Sequence, residues 1–552
     1  MITRLAGGRI YDPAHGEQGV ARNLYVSDGR IVAAPAGGKA DHSYDLGGAI
    51  VMAGGIDIHS HLAGGKVNLS RLLMADDHRD ELMERGALTR SGSGWTTPSS
   101  FATGYRYAAM GYTAAFEPAM VPSNARLAHL EMTDLPMVDK GVYLMLGNDE
   151  LLLQMLAREA PQEQIDDYVA WMMRATAALG IKTVNPGGIS AFKSNLRDLD
   201  ITDTTHGVTP RRVVNALARA VYELGVPHPL HIHCNNLGLP GNIETTLATI
   251  AAAEGFPIHL THAQFHSYGR EGDRRFSSAA ARLAEAVNRN PHVTLDVGQI
   301  MFGQTVTASG DTMAQYRNRA FASPDKWILM DIECDGGCGI VPFRYRDRQF
   351  VNALQWAIGL ELFLLVEDPW RIFLTTDHPN GGPFPTYPHL LRLLMDRDFR
   401  NANFARLHPA AQKASILPTL KREYSLDEVA IMTRAAPARI LGLADRGHLG
   451  VGAAADVAVY VEDADRERMF TTPKHVFKDG VEVAREGRIL ATPSGSTHIV
   501  RPEGDDAIEG PLRRFFADHM SVGLDHFRLA PAEIEGAGGH LITQACRPRR
   551  RA

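Results

Sequence analysis

Cysteine is scarce in this chain: four residues (Cys234, Cys334, Cys338 and Cys546) in 552. Four are too few to staple a chain of this length, so stability must come from burial, and the thiols are expected to be reduced. Long apolar runs are also missing. No stretch approaches the ~18 uninterrupted apolar residues of a membrane span, and the opening MITRLAGGRIYDP lacks the apolar core of a signal peptide. The expectation is a cytoplasmic protein with no membrane partner. Excess charge is the third absence. A formal net charge of -6 offers no basic footprint for nucleic acid, and the terminal RPRRRA reads as a solvated tail. The CDGGC of Cys334 and Cys338 lacks two further zinc ligands at matching spacing, so it reads as no metal site.

What is present is the composition of a globular protein, 45% hydrophobic and 22% charged. The first ~50 residues read as short strands joined by turns, with the DG of NLYVSDGRIVAAP as a hairpin signal. The same texture returns in GHLGVGAAADVAVYVED and HVFKDGVEVAREGRIL. An isolated hairpin is marginal in water, so the two ends are expected to pair into one small composite β-domain, residues 1–52 plus 441–500. Between them eight strand-like runs alternate with helical segments: AIVMAGGIDIHSH, GYTAAFEPA, GVYLMLGN, GIKTVNPGG, HPLHIHCNN, PIHLTHAQ, HVTLDVGQ and RIFLTTDHP. Such alternation predicts an α/β fold of parallel strands with crossover helices. Eight repeats favour a closed (β/α)8 barrel of the TIM type over an open doubly wound sheet. The barrel is placed at 53–440, long enough to require insertions, the longest at about 299–369; residues 501–552 form a C-terminal extension. Within that extension PLRRFFADHMSVGLDHF has the pattern of an amphipathic helix.

A barrel of this kind carries its chemistry where strands end and loops begin. His59 and His61 end the first strand on one face, because side chains alternate. The fourth strand carries Lys182, the fifth His231 and His233, the sixth His259 and His262, and the eighth ends in Asp377. Imidazoles, a lysine and a carboxylate converging on one centre match the ligand types of zinc or a similar divalent ion. An ammonium group beside two cations would be repelled. A buried lysine of lowered pKa, however, can add carbon dioxide and become an anionic, bridging carbamate.

The phrase DLGGAIVMAGGIDIHSH, with ADVAVY and HVFKDGVEV near the end, resembles the amidohydrolase superfamily over about residues 1–500. More narrowly, GWTTPSSFATGYRYAAMGYTAAFEPAM, GIKTVNPGG, HIHCNNLGLPGN, NALQWAIGLELFLLVEDPW and TTDHPNGGPFPTYP resemble the A subunits of formylmethanofuran dehydrogenase and of the bacterial formyltransferase/hydrolase complex. The resemblance implies two divalent ions, zinc by expectation. His59 and His61 would hold one, Lys182 would be the carboxylated bridge, His233 and His262 would hold the second, and Asp377 would be both ligand and catalytic proton carrier. His233 is preferred to His231, and His262 to His259, as nearer the strand ends; the other pair are second-shell or alternative ligands. Lys193, beyond a Pro-Gly-Gly turn, reads as a loop lysine rather than the bridge.

The implied activity is hydrolysis of formylmethanofuran to formate and methanofuran, beside B, C and D subunits in one-carbon metabolism. Condensation in the reverse direction, a cyclic amidase or N-acyl amino acid deacylase, and a metal-free scaffold are the alternatives. Methanofuran-type carriers have acidic tails, so Lys66, Arg71, His78, Arg79 and Arg106 are expected as cationic contacts around the mouth. Asn185, Asn235 and Asn380 are expected as orienting groups.

Overall fold

The computed structural model describes residues 1–187, 197–203, 205–309, 339–536 and 540–549. Lys193, Cys334 and Cys338 lie outside the described residues.

Eight short parallel strands form the centre: Gly55–Asp57, Tyr112–Ala115 continuing as Glu117–Met120, Val142–Met145, Gly180–Val184, Leu230–His233, Ile258–Leu260, Val293–Asp296 and Ile372–Phe373. Each pairs in parallel with the next. The ring closes through a parallel bridge between Ser60 and His378 just past the ends of the first and eighth strands. The fold is therefore the (β/α)8 barrel that the alternation predicts. Register fixes the height of each side chain. Lys182 pairs with His231 and His231 with His259, so these three share one rung, while His233 pairs with Val184 one alternation nearer the mouth.

The helices on the outside form where apolar residues recur at three- and four-residue spacing. Pro210–Glu223 is capped by Thr209, whose hydroxyl accepts the Arg212 N–H, and it carries Pro at its first turn, where no N–H is missed. Val213, Val214, Leu217 and Val221 are buried, each contributing roughly 1.5–3 kcal/mol of burial. Gln162–Thr176 stops short of Gly180: Ala177, at φ 52°, takes the left-handed turn usually left to glycine. Within the stretch between the seventh and eighth strands, only the hairpin Gly303–Ser309 with Gly339–Tyr345 is an added element among the described residues. Phe350–Leu365, buried nearly all round, is the crossover helix itself.

The two ends of the chain meet in a second sheet. Ile50–Ala53 lies between Ile2–Asp12 and Val457–Tyr460, the latter running antiparallel to it. Three two-residue turns here, Asp28–Gly29, Asp479–Gly480 and Glu486–Gly487, have φ near +50° then +76°. This is the conformation that matches strand twist, which explains the Asp-Gly and Glu-Gly pairs. Ser496–Val500 pairs with His540–Gln544 and bridges to Lys140 ahead of the third barrel strand.

Where barrel, sheet and C-terminal segment touch, Lys478, Arg446, Asp139 and Asp456 are buried together with His498. Lys478 Nζ lies 3.1 Å from Asp139 and 3.1 Å from Asp456; Arg446 Nε donates to Asp139 Oδ2 at 2.7 Å, and His498 Nε2 lies 3.2 Å from the same oxygen. Burial alone would raise the Asp139 carboxyl, but Lys478 and Arg446 hold it well below the ordinary range. Removing one partner strands the rest: Lys478→Met is expected to cost ~3–5 kcal/mol, read as a fall in Tm. Because the folded pKa is depressed, the Asp139 contribution is complete above the unfolded value of ~3.9 and is lost as pH falls below it. The gap between wild-type and K478M stability measured by denaturant melts should therefore narrow only in acid.

Candidate metal centre

The sequence bends sharply at the strand ends that matter. Asn185, His262 and Asp377 sit at φ 45°, 35° and 50°, where the chain leaves the fourth, sixth and eighth strands, which end at Val184, Leu260 and Phe373. Such conformations cost about 1–3 kcal/mol each in a non-glycine residue and persist only where the surroundings enforce them. Gly298 enforces one. A Cβ there would stand 2.3 Å from the Cβ of His262, so only glycine lets the seventh strand's exit approach that closely.

His59, His61, Lys182, His233, His262 and Asp377 line one cavity at the barrel mouth. The histidines preferred on strands five and six line it; their neighbours do not. His231 lies beneath, its Nε2 2.9 Å from His59 Nδ1 and its Nδ1 3.0 Å from His228 Nε2. His259 Nε2 faces Asp296 Oδ2 at 3.1 Å. The first two histidines each have one nitrogen occupied and one facing Asp377. His59 Nε2 is 3.0 Å from Asp377 Oδ1, and His61 Nε2 is 3.6 Å from the same oxygen, while His61 Nδ1 is 3.1 Å from Glu117 Oε1. An imidazole held through one nitrogen presents the other to a metal in a fixed tautomer.

Glu117, Asp296 and His266 take part without having been singled out in the sequence. Glu117 Oε2 accepts the N–H groups of Leu62 and Ala63 at 2.6 and 3.1 Å. Burial works against its charge, yet His61 and these N–H groups hold its carboxyl below the ordinary range. Asp296 Oδ1 accepts the His262 N–H at 3.0 Å and the Thr375 hydroxyl at 2.6 Å. Both are acids at the ends of predicted strands, and that position was the available signal.

Electrostatically the site is a buried knot of opposed charges. Burial lowers Lys182 to about 7, against the pull of Asp377 and Asp296. Asp377 is buried too, yet His262 and His59 keep its carboxyl well below the ordinary range. His262 and His233 are held well below the usual imidazole value, first by burial. They are neutral rings, the form that binds metal.

Of the expected cationic contacts, Lys66 lines the cavity. Arg71 is committed elsewhere, ion-paired to Glu131 and donating to Leu62 O at 3.1 Å and Pro98 O at 2.9 Å. Arg106 Nε donates to Gly94 O at 3.0 Å, His78 Nε2 is 3.1 Å from Thr97 O, and Arg79 is exposed away from the cavity lining. Asn380 lines the cavity and its amide donates to Asp377 Oδ1 at 3.0 Å. Asn185 and Asn235 stand behind the wall. The Asn185 N–H joins strand four to five at His233 O, 3.0 Å away, and the Asn235 amide donates to Pro186 O at 3.2 Å.

A sequence model of the amidohydrolase family matches residues 43–490. This chain belongs to the amidohydrolase family. It is 44% identical over 99% of its length to the A subunit of the formyltransferase/hydrolase complex Fhc of Methylorubrum extorquens, all of which is covered. It is 38% identical over 95% of its length to protein FwdA of Methanocaldococcus jannaschii, 96% of which is covered. Its structure superposes with a TM-score of 0.90 on a chain from the crystal structure of the M. extorquens FhcABCD complex with methylofuran, covering 99% of this chain and 100% of that one. Among the described residues no helix is long and apolar enough to cross a membrane.

The donor set fits the metal dependence typical of amidohydrolases. Three groups of buried His and Asp side chains at the strand ends bring ligand atoms within 4.8 Å of one another: His59, His262 and Asp377; His233, His262 and His266; and His59, His231 and Asp296. Neutral imidazole with carboxylate is a zinc-type set. Glu117→Gln removes the anion that fixes the His61 tautomer, and zinc affinity measured by chelator competition should fall ~10–100-fold with little change in Tm; an unchanged affinity would contradict this role.

Proposed function

We propose that this amidohydrolase cleaves the N-formyl amide of a formylmethanofuran-type carrier to formate and the free amine, working in a complex beside B, C and D subunits. The observation that carries the reading is Asp377, an ionised, buried carboxylate set among histidines and Lys182 at the barrel mouth. The near full-length relatedness to the A subunit of Fhc supports the choice of substrate and partners.

Two divalent ions, zinc by preference, would be held by His59, His61 and Asp377 and by His233 and His262, with Lys182 carboxylated between them. When bound they supply Lewis acidity, polarising the amide carbonyl and bringing the pKa of water toward ~7. The chain's own groups do the rest. Asp377 Oδ1 is taken by His59 and Asn380, and among the described residues no hydrogen bond engages Oδ2. The proton leaving the attacking water is therefore accepted at Asp377 Oδ2 and delivered from there to the departing amine nitrogen, which leaves poorly as an anion. Asn380, donating to Oδ1, holds the carboxylate through that oxygen. Lys66, on the cavity wall, places a cation near the carboxylate product. Glu117 and Asp57 hold the first strand's end: Asp57 Oδ1 accepts the His59 N–H at 3.0 Å, and Oδ2 accepts the hydroxyls of Tyr107 and Tyr387 at 2.7 and 2.5 Å.

The same groups accelerate condensation of formate with the amine, so the direction used is set by concentrations rather than by the site. Formate release from formylmethanofuran by the assembled complex, with no opening of a hydantoin ring, is the expected result. The reverse specificity would replace this reading with a cyclic amidase. Lys182→Ala should reduce formate release by at least about a thousandfold, comparable to removing a principal source of transition-state stabilisation. Reactivation of metal-stripped wild-type complex should require bicarbonate as well as zinc. Recovery with zinc alone in carbonate-free buffer would rule out the carbamate.

A further inference from the structure

Behind the cavity wall lies a third imidazole that the proposed mechanism does not use. His262 and His266 stand four residues apart in THAQFHSYG, where the chain leaves the sixth strand through a short 3-10 turn, Ala263–His266. The turn brings both rings to the same side, against His233 at the end of the fifth strand. The three rings are buried. Nε2 of His233, Nδ1 of His262 and both nitrogens of His266 have no hydrogen-bond partner among the described residues. Buried polar nitrogens without a partner are rare, and a single cation could take one nitrogen from each of the three rings.

Ring spacing fits a shared cation, and because packed imidazoles such as His231 and His259 also stand 4.7 Å apart, it supports the assignment only together with the unpaired nitrogens. The centroids are 4.6 Å apart for His233 and His262, 5.2 Å for His233 and His266, and 5.2 Å for His262 and His266. Imidazoles bound through nitrogen to one zinc at ~2.1 Å in a tetrahedral arrangement have centroids about 5 Å apart. Sharing one water at ~2.9 Å would spread them to roughly 6.5 Å. The observed values match the metal. One ligand atom from each of the three rings already lies within 4.8 Å of the other two.

We infer that His266 supplies a third imidazole to a divalent cation held by His233 and His262, giving one of the two metal positions a three-histidine face. A further neutral ligand adds no charge and fills one coordination position, so this cation is the more firmly retained. The inference rests on the proposed metal-dependent site but requires neither its substrate nor its partners.

Crystals of the zinc-loaded wild-type protein, mapped by anomalous scattering at the zinc edge, test it without any assay of activity. The expected map has a peak within ~2.3 Å of one nitrogen from each of His233, His262 and His266. Zinc on His59, His61 and Asp377 with no peak within ~3 Å of a His266 nitrogen overturns this inference alone. A map with no zinc at the barrel mouth overturns the metal-dependent reading with it. In solution, His266→Gln should lose the retained cation to a chelator at least ~10-fold more readily than wild type, with zinc content falling from two toward one per chain. Unchanged chelator resistance and unchanged zinc content in H266Q count against the ligand role.

Discussion

Three buried carboxylates, Glu117, Asp296 and Asp377, set the positions of the imidazoles around them, and the remainder of the barrel mouth follows from that requirement. An ionised carboxylate in this environment survives only beside cations or hydrogen-bond donors. Each finds them: Glu117 in His61 and the N–H groups of Leu62 and Ala63, Asp296 in His259, Thr375 and the His262 N–H, Asp377 in His59 and Asn380. Satisfying the acids orients the rings. A ring tied through one nitrogen turns the other inward, where it pairs with a neighbouring ring, as His231 does with His59 and His228, or stands free for a cation.

The scaffold exists to hold that arrangement against its own strain. Left-handed residues at three strand ends, and a glycine pressed to the Cβ of His262, are local costs that burial of the whole barrel offsets. The far end of the barrel is fastened by different means. There Asp139 gathers Lys478 from the terminal sheet, Arg446 from the segment leading into it, and His498 from the extension. One aspartate thus joins pieces of chain more than three hundred residues apart, at the side away from the cavity. Stability and chemistry are placed at opposite ends, so changes in one are buffered from the other.

How much of this could be read in the sequence depended on whether the signal was periodic. Strands, crossover helices and Asp-Gly turns follow from alternation, three-and-four spacing and left-handed backbone needs, which are local, and all eight barrel strands were legible. The His, Lys and Asp residues of the cavity were legible too: Lys182 and His233 stand on those strands, and His59, His61, His262 and Asp377 follow within four residues of strand ends. Glu117 and Asp296 were visible as letters, but their roles come from partners 55 and 34 residues away, and no local pattern encodes that distance. Arg71 shows the converse. As a letter near the first strand it suggested contact with an acidic carrier, yet folding gives it Glu131 and two carbonyls instead. Nearness to the strand end favours His233 over His231 in the sequence, and register adds the depth: pairing with Lys182 puts His231 one rung below His233.

Lys182 is where these electrostatic demands collide. It shares the rung of His231, where burial takes its pKa down to about 7 while Asp377 and Asp296 pull the other way. As an ammonium it would answer those carboxylates, but would then repel the cations that the neutral imidazoles call for. As a neutral amine it would leave two carboxylates without a counter-charge unless cations were present. On the proposed reading, a carbamate with two divalent ions would answer both demands, because the ions would balance Asp377 and the carbamate together. Burial that lowers the lysine toward its neutral amine is the condition that such a modification needs.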